Sequence, residues 1–183
     1  MSVQAKPGMT VDAFLAWAEG RPGRYELIDG EVVAMSPQRA RHAETKFSVQ
    51  TALRAALRAG DLPCRMLPDG MSVKIDAGTV FEPDALVYCG AGLDPDAIVV
   101  PKPMIVVEVL SPGTKRIDTG RKLQGYFRLP SVMHYLIVDA ERHTVIHHRR
   151  GDGDLIETRI ASSGELRLDP PDLTLPVAAL FDA

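Results

Sequence analysis

The sequence predicts a mixed α/β fold, a central mixed β-sheet flanked by helices, and three observations carry that prediction. An Asp29-Gly30 dipeptide sits between two β-prone runs, the stretch from Gln38 to Ala59 has helical periodicity, and Met104 to Leu110 is apolar almost without alternation. The first is a hairpin signal, because both central residues of the tightest turn need positive φ. The third predicts a central strand covered on both faces.

The elements follow in order along the chain. Thr10 is placed to cap a short helix, Val11 to Glu19, that Gly20 ends, with Phe14, Leu15 and Ala18 on its inner face and Trp17 beside them. The hairpin comes next: Arg24 to Ile28, the Asp-Gly turn, and Glu31 to Met35, closed by Ser36-Pro37. In the long helix Phe47, Leu53 and Leu57 supply the large apolar groups, Gly60 the stop, and Arg54 and Arg58 an exposed pair. Strands are expected near Arg65–Leu67, Met71–Ile75 and Ala85–Tyr88, and Leu93 to Pro103 reads as a loop. After the apolar strand a helix is expected from about Arg116 to Arg128, weakened by Gly120 and Gly125 by about 1 kcal/mol each relative to alanine. Strands at Val132–Val138, Thr144–His148 and Leu155–Ile160 and a short C-terminal segment complete the order. No Pro/Gly-rich linker divides the 183 residues, so one domain is expected over 1–183.

Composition narrows the class. Hydrophobic residues make up 45% of the chain, ordinary for a globular protein. No apolar run approaches the ~20 residues needed to cross a bilayer, and Met1 to Pro7 lacks a basic-then-apolar leader, so no membrane association and a cytoplasmic location are expected. Cys64 and Cys89 lack metal-type spacing and read as two half-buried strand thiols, not a disulfide. The net charge of −3 excludes a basic nucleic-acid coat; a nucleic-acid enzyme with this balance must gather its cations on one face.

One residue breaks the apolar logic. Glu108 sits in the middle of Ile105 to Leu110, and a buried carboxylate costs several kcal/mol unless it is paired, protonated or metal-bound. A second carboxylate, Asp84, opens the preceding core strand after Pro83. Two acids at the ends of neighbouring strands can converge on one hard cation, and Mg²⁺ takes one or two carboxylates while keeping waters and substrate phosphate oxygens. The alternative for Glu108 is a buried salt bridge with Lys122, Arg116 or His42. For Asp84 it is a turn device at a strand start.

Pro83-Asp84, Val107 to Pro112, Asp118, Lys122 and Tyr126, together with Tyr25 to Glu31, Met35 to Pro37, His42 and Tyr135 to Asp139, resemble the Uma2 (DUF820) branch of the PD-(D/E)XK nucleases. The resemblance runs from about Met9 to His148 in the same order. It implies a restriction-endonuclease-like core and a metal-dependent nuclease site that hydrolyses DNA, with Mg²⁺ or Mn²⁺ on Asp84 and Glu108. The wider superfamily places a lysine two positions after the second acid, where this chain has Leu110. The resemblance nominates Lys122 on the following helix instead, with Lys115 in reserve, and Glu26 as the acid brought from the first element. His42, Lys115 and Arg116 are the candidate phosphate contacts, and Arg54, Arg58 and Arg121 are further cations able to grip a nucleic-acid backbone. For Glu26 the alternative is a solvent-facing hairpin residue, for Lys122 a surface pair with Asp118, and for His42 a core or capping role. His147 to Arg150 reads as a basic sheet edge rather than a metal motif, since adjacent strand residues face opposite ways.

Two other classes of function fit the same residues: a catalytically silent nuclease-like domain that binds nucleic acid or a protein partner, and a structural, oligomerising protein with Glu108 in an ion pair. Uncovered edge strands after Asp139 point to a homodimer.

Overall fold

The computed structural model describes residues 8–110 and 118–182. Three helices and twelve strands build it: α1 Val11–Ala18, β1 Tyr25–Ile28, β2 Glu31–Ala34, α2 Ala40–Ala59, β3 Cys64–Pro68, β4 Val73–Asp76, β5 Thr79–Phe81, β6 Ala85–Cys89 and β7 Ile105–Val109 come first. A π-helical turn, Asp118–Lys122, then runs into α3, Leu123–Arg128, followed by β8 His134–Asp139, β9 Thr144–Arg150, β10 Ile156–Ala161, β11 Glu165–Leu168 and β12 Leu173–Pro176. A short 3₁₀ turn, Ala178–Leu180, follows.

The main sheet has six strands in the order β10-β9-β8-β7-β6-β3, and only β7 and β8 run parallel. Every residue of β7 and β8 is buried, as an unalternating apolar strand requires. The period of two sorts their side chains. Ile105, Val107 and Val109, with Leu136 and Val138, pack against α2 and the β11–β12 hairpin. Val106, Tyr135 and Ile137 face Tyr126 of α3 and Phe81 of β5 on the other side. A smaller sheet, β2-β1-β5-β4, lies on that second side, with α1 packed on β1 through Phe14 and Leu27.

The local signals act as chemistry dictates. Thr10 accepts a hydrogen bond from the Ala13 N–H and so caps α1. Asp29 and Gly30 both take positive φ, 51° and 80°, and Tyr25 to Ile28 pairs with Glu31 to Ala34.

Several expectations are corrected. Cys64 and Cys89 form a disulfide, because β3 and β6 pair antiparallel in a register that sets the two directly opposite. Phe47 is 69% exposed: the inward stripe of α2 is His42, Lys46, Val49, Leu53 and Leu57, which turns Phe47 outward with Thr51, Arg54 and Arg58. His147 and His148 are not on an edge, since β10 covers β9 and both rings are buried. Strand β5 is too short to signal itself in the sequence. The expected helix from Arg116 begins, among the described residues, as a π-helical turn. No helix among them is long and apolar enough to cross a membrane.

Gly125 is more than a weak helix residue. A Cβ there would lie 2.5 Å from Cε2 of Phe81, whose ring is buried and packs edge-on against Tyr126. Gly120 has nothing within 4 Å of such a Cβ. Gly125→Ala is therefore expected to destabilise the protein by about 1–3 kcal/mol despite alanine's higher helix propensity. Gly120→Ala stays within about 1 kcal/mol of wild type. Urea denaturation of both variants checks this; equal effects would contradict the packing account.

Candidate functional site

Two short sequence devices bring the acids together. The β6–β7 register sets Ala85 opposite Val107, so Asp84, just before β6, lies beside Glu108 and Val109. The Val109 N–H donates to Asp84 Oδ2 at 2.8 Å, and the Asp84 N–H donates to the Val107 carbonyl. Both carboxylates are 5% exposed.

Each acid is met by cations from a different element. On the α3 side, Lys122 Nζ donates to Glu108 Oε1 at 2.9 Å and lies 3.0 Å from Glu26 Oε1. Tyr126 donates to the same Glu108 oxygen at 2.7 Å. Burial, followed by the charges of Glu108 and Glu26, raises the Tyr126 pKa well above the ordinary phenol range, so it stays a neutral donor. Glu26 also accepts the Glu82 N–H at 2.9 Å, so β1 and the end of β5 are tied to the acid pair.

On the α2 side, His42 Nε2 lies 2.9 Å from the Val109 carbonyl and 3.6 Å from Asp84 Oδ2. Nε2 therefore carries a proton, and Nδ1, which is buried, has no hydrogen-bond partner among the described residues. Lys46, one helical turn on, is 7% exposed; its Nζ donates to Gln38 Oε1 and Asp69 Oδ2, each at 2.8 Å, and stands 3.9 Å from Asp84 Oδ1. Burial alone would raise the Asp84 pKa. The hydrogen bond and charge of His42, the Val109 N–H and the charge of Lys46 outweigh it and hold the carboxyl below its usual range. Gln50 donates to the Asp84 carbonyl at 2.8 Å and fixes the backbone there. Arg24 completes the cluster through Asp69 at 2.9 Å and through Glu82.

The five residues Glu26, His42, Asp84, Glu108 and Lys122, all expected from the sequence, are thus brought together, and Glu26 is buried rather than solvent-facing. Lys115 and Arg116 lie outside the described residues. Lys46, Asp69, Arg24 and Gln50 escaped the sequence reading. The signal that would have found Lys46 is its i+4 spacing from His42, in step with Val49 and Leu53.

Among the described residues Glu26, Asp69, Glu82, Asp84 and Glu108 supply five carboxylates, against three permanent cations, Arg24, Lys46 and Lys122. Glu108 and Lys122 each make a further interaction besides these. Among the described residues no group of three or more His, Cys, Asp or Glu side chains is placed to hold a metal ion. An open site with one or two carboxylates, completed by water and substrate, is what Mg²⁺ takes.

Comparison with known proteins agrees with this fold. The Uma2 family model, described as "Putative restriction endonuclease", matches residues 11–178. The chain belongs to the Uma2 family. An uncharacterized protein of Synechocystis sp. is 26% identical over 177 residues, spanning 96% of this chain and 92% of that protein. A crystal structure of a DUF820 protein from Anabaena variabilis, titled a putative nuclease, superposes with a TM-score of 0.74. It covers 94% of this chain and 97% of its own at 16% identity, and so shares the fold. The Uma2 core here is the mixed sheet flanked by helices that the sequence predicts, of the restriction-endonuclease-like kind.

Further along α2 the outward face turns basic. Arg54 and Arg58, with Arg65 of β3, Asp61 and Tyr88, line a cavity of about 570 Å³. None of the three arginines makes an ion pair among the described residues, whereas the cations around Asp84 and Glu108 are all engaged.

Lys122 contacts two buried carboxylates, Glu26 and Glu108, and is itself 3% exposed. Lys122→Met is expected to destabilise the metal-free protein by about 3–5 kcal/mol by leaving buried charge uncompensated. Adding Glu108→Gln to that variant recovers a large part of the loss. Guanidinium titrations in the presence of EDTA measure both; a Lys122→Met variant as stable as wild type would show that the pair carries no such charge.

Proposed function

We propose that the chain is a Mg²⁺-dependent endonuclease that hydrolyses phosphodiester bonds in DNA, with Mn²⁺ able to replace Mg²⁺. The observation that carries this reading is the convergence of the buried carboxylates of Asp84 and Glu108, at neighbouring positions of paired strands, in one cluster with Glu26, His42 and Lys122. Membership of the Uma2 family, described as "Putative restriction endonuclease", supports it.

In this reading Asp84 and Glu108 hold the metal, and the bound ion supplies charge to the scissile phosphate and acidifies a water. Asp84 is prepared for that role because its neighbours keep it ionised. Glu108 is prepared because Tyr126 and Lys122 fix one oxygen of the carboxylate. Lys122, held by Glu108 and Glu26, stands where it can orient the attacking water or offset the charge of the pentavalent phosphorane. It does so from the helix, in place of a lysine at position 110. Leu110 packs instead into the core on that side of the sheet. His42 and Lys46 are the donors available to a phosphate oxygen on the α2 side, and Lys115 and Arg116 remain candidates for the same task. Arg54, Arg58 and Arg65 offer a backbone contact away from the centre: Arg54 lies twelve residues beyond His42, about 18 Å along the helix.

A second reading rests on one specific observation. Glu108 is ion-paired with Lys122 at 2.9 Å, as a silent nuclease-like domain or a purely structural protein would have it. That pairing leaves the same lysine shared with Glu26 and gives no part to the buried carboxylate of Asp84.

Relaxation of supercoiled plasmid separates the readings. The wild type is expected to nick DNA with Mg²⁺ or Mn²⁺ and not with EDTA, and Glu108→Ala to lose at least about 100-fold of that activity while its circular dichroism is kept. DNA binding without cleavage under every divalent ion would favour the silent domain. Full cleavage by Glu108→Ala would overturn the proposal.

A further inference from the structure

The two edges of the main sheet are treated differently. At one end, β3 carries Pro68 and is tied to its neighbour by the Cys64–Cys89 disulfide. At the other end β10 pairs, among the described residues, only with β9, and carries no proline and no bulge in that pairing. Every residue from Leu155 to Ile160 is exposed. Of the exposed large hydrophobic side chains, Leu155 (57%), Ile156 (36%) and Ile160 (69%) fall in this one segment. A long, apolar, unprotected edge is a template for another strand.

The order of residues in β10 says which strand. Ile156-Glu157-Thr158-Arg159-Ile160 is complementary to itself when run antiparallel about Thr158. In that register Glu157 faces Arg159 of a second copy, Arg159 faces its Glu157, Ile156 faces Ile160, and Leu155 faces Ala161. Opposite-charge and β-branched cross-strand pairs each add roughly 0.2–1 kcal/mol relative to alanine pairs, and a two-fold axis makes every pair occur twice. Shifting the centre by one residue destroys the match. Centred on Glu157 the strands set two glutamates against each other, and centred on Arg159 two arginines. The charges that would protect a lone edge strand are thus arranged to specify one partner. Within the chain Glu157 lies 3.8 Å from Arg149, and Arg159 donates to the Glu165 carbonyl at 3.3 Å; both are solvent-exposed contacts that a stronger cross-strand pair can displace.

We propose that β10 pairs antiparallel with β10 of a second copy of this chain, about a two-fold axis at Thr158, and joins two six-stranded sheets into one continuous sheet. The pairing covers the edge that the fold leaves open. It sets the two Glu108 residues seven strand spacings apart, about 34 Å along the sheet, so neither site is blocked. The inference stands whether or not the site cleaves DNA.

Sedimentation equilibrium of the full chain, from low to high micromolar concentration, tests it. The wild type is expected to show a concentration-dependent monomer–dimer equilibrium. Arg159→Glu and Glu157→Arg, which put like charges opposite each other, each weaken the dimer by about tenfold or more. The double variant Glu157→Arg/Arg159→Glu restores it, because the reversed charges again match. A wild type that remains monomeric throughout overturns the proposal. So do single variants that dimerise as well as wild type, or a folded double variant that stays monomeric.

Discussion

A carboxylate in a fully buried strand sets the terms for everything around it. Glu108 cannot be solvated where it stands, so the chain must deliver donors to it. That requirement explains why the segment after β7 returns over the sheet as a π-helical turn and α3 carrying Lys122 and Tyr126. It also explains why Gly125 lacks a side chain. The helix must lie close enough to Phe81 for Lys122 and Tyr126 to reach the acid, and a Cβ would hold it off. The small sheet follows from the same demand, since β1 and β5 carry Glu26 and Phe81 to the far side of that lysine.

The second acid is handled from the opposite face and by a different economy. Asp84 takes a backbone N–H, which costs no side chain, and α2 gives up the apolar character of its first turns to place His42 and Lys46 near it. The helix is thus divided between two tasks. His42, Lys46 and Gln50 serve the site, and Val49, Leu53 and Leu57 serve the core. Asp69 and Arg24 tie the α2 side to the hairpin, so the acids sit in a network that crosses the sheet's end rather than in two isolated pairs.

The sequence made the acids legible because they violate a pattern: Glu108 interrupts an apolar strand and Asp84 opens one. Asp29-Gly30 and Thr10 were legible because their turn and cap are local. What escaped depended on placement between distant elements. Lys46 looks like any helix lysine until the inward stripe of α2 is known, and the same one-residue question sent Phe47 to the wrong face. Cys64 and Cys89 could be paired only by a strand register that no local signal specifies. His147 and His148 read as an edge because β10, with its exposed alternating residues, gave little sign that it would cover them. Burial instead lowers the pKa of His134 and His147 to about 4, as neutral interior rings sharing a 2.9 Å contact.

In the proposed function Asp84 and Glu108 together hold one divalent ion. Calorimetric titration of EDTA-treated protein with Mn²⁺, wild type beside Asp84→Asn, addresses it without reference to any substrate. The account predicts a single site per chain in the wild type and its loss in the folded variant. No binding by the wild type, or equal binding by Asp84→Asn, would contradict it and leave Glu108 as one half of a buried ion pair.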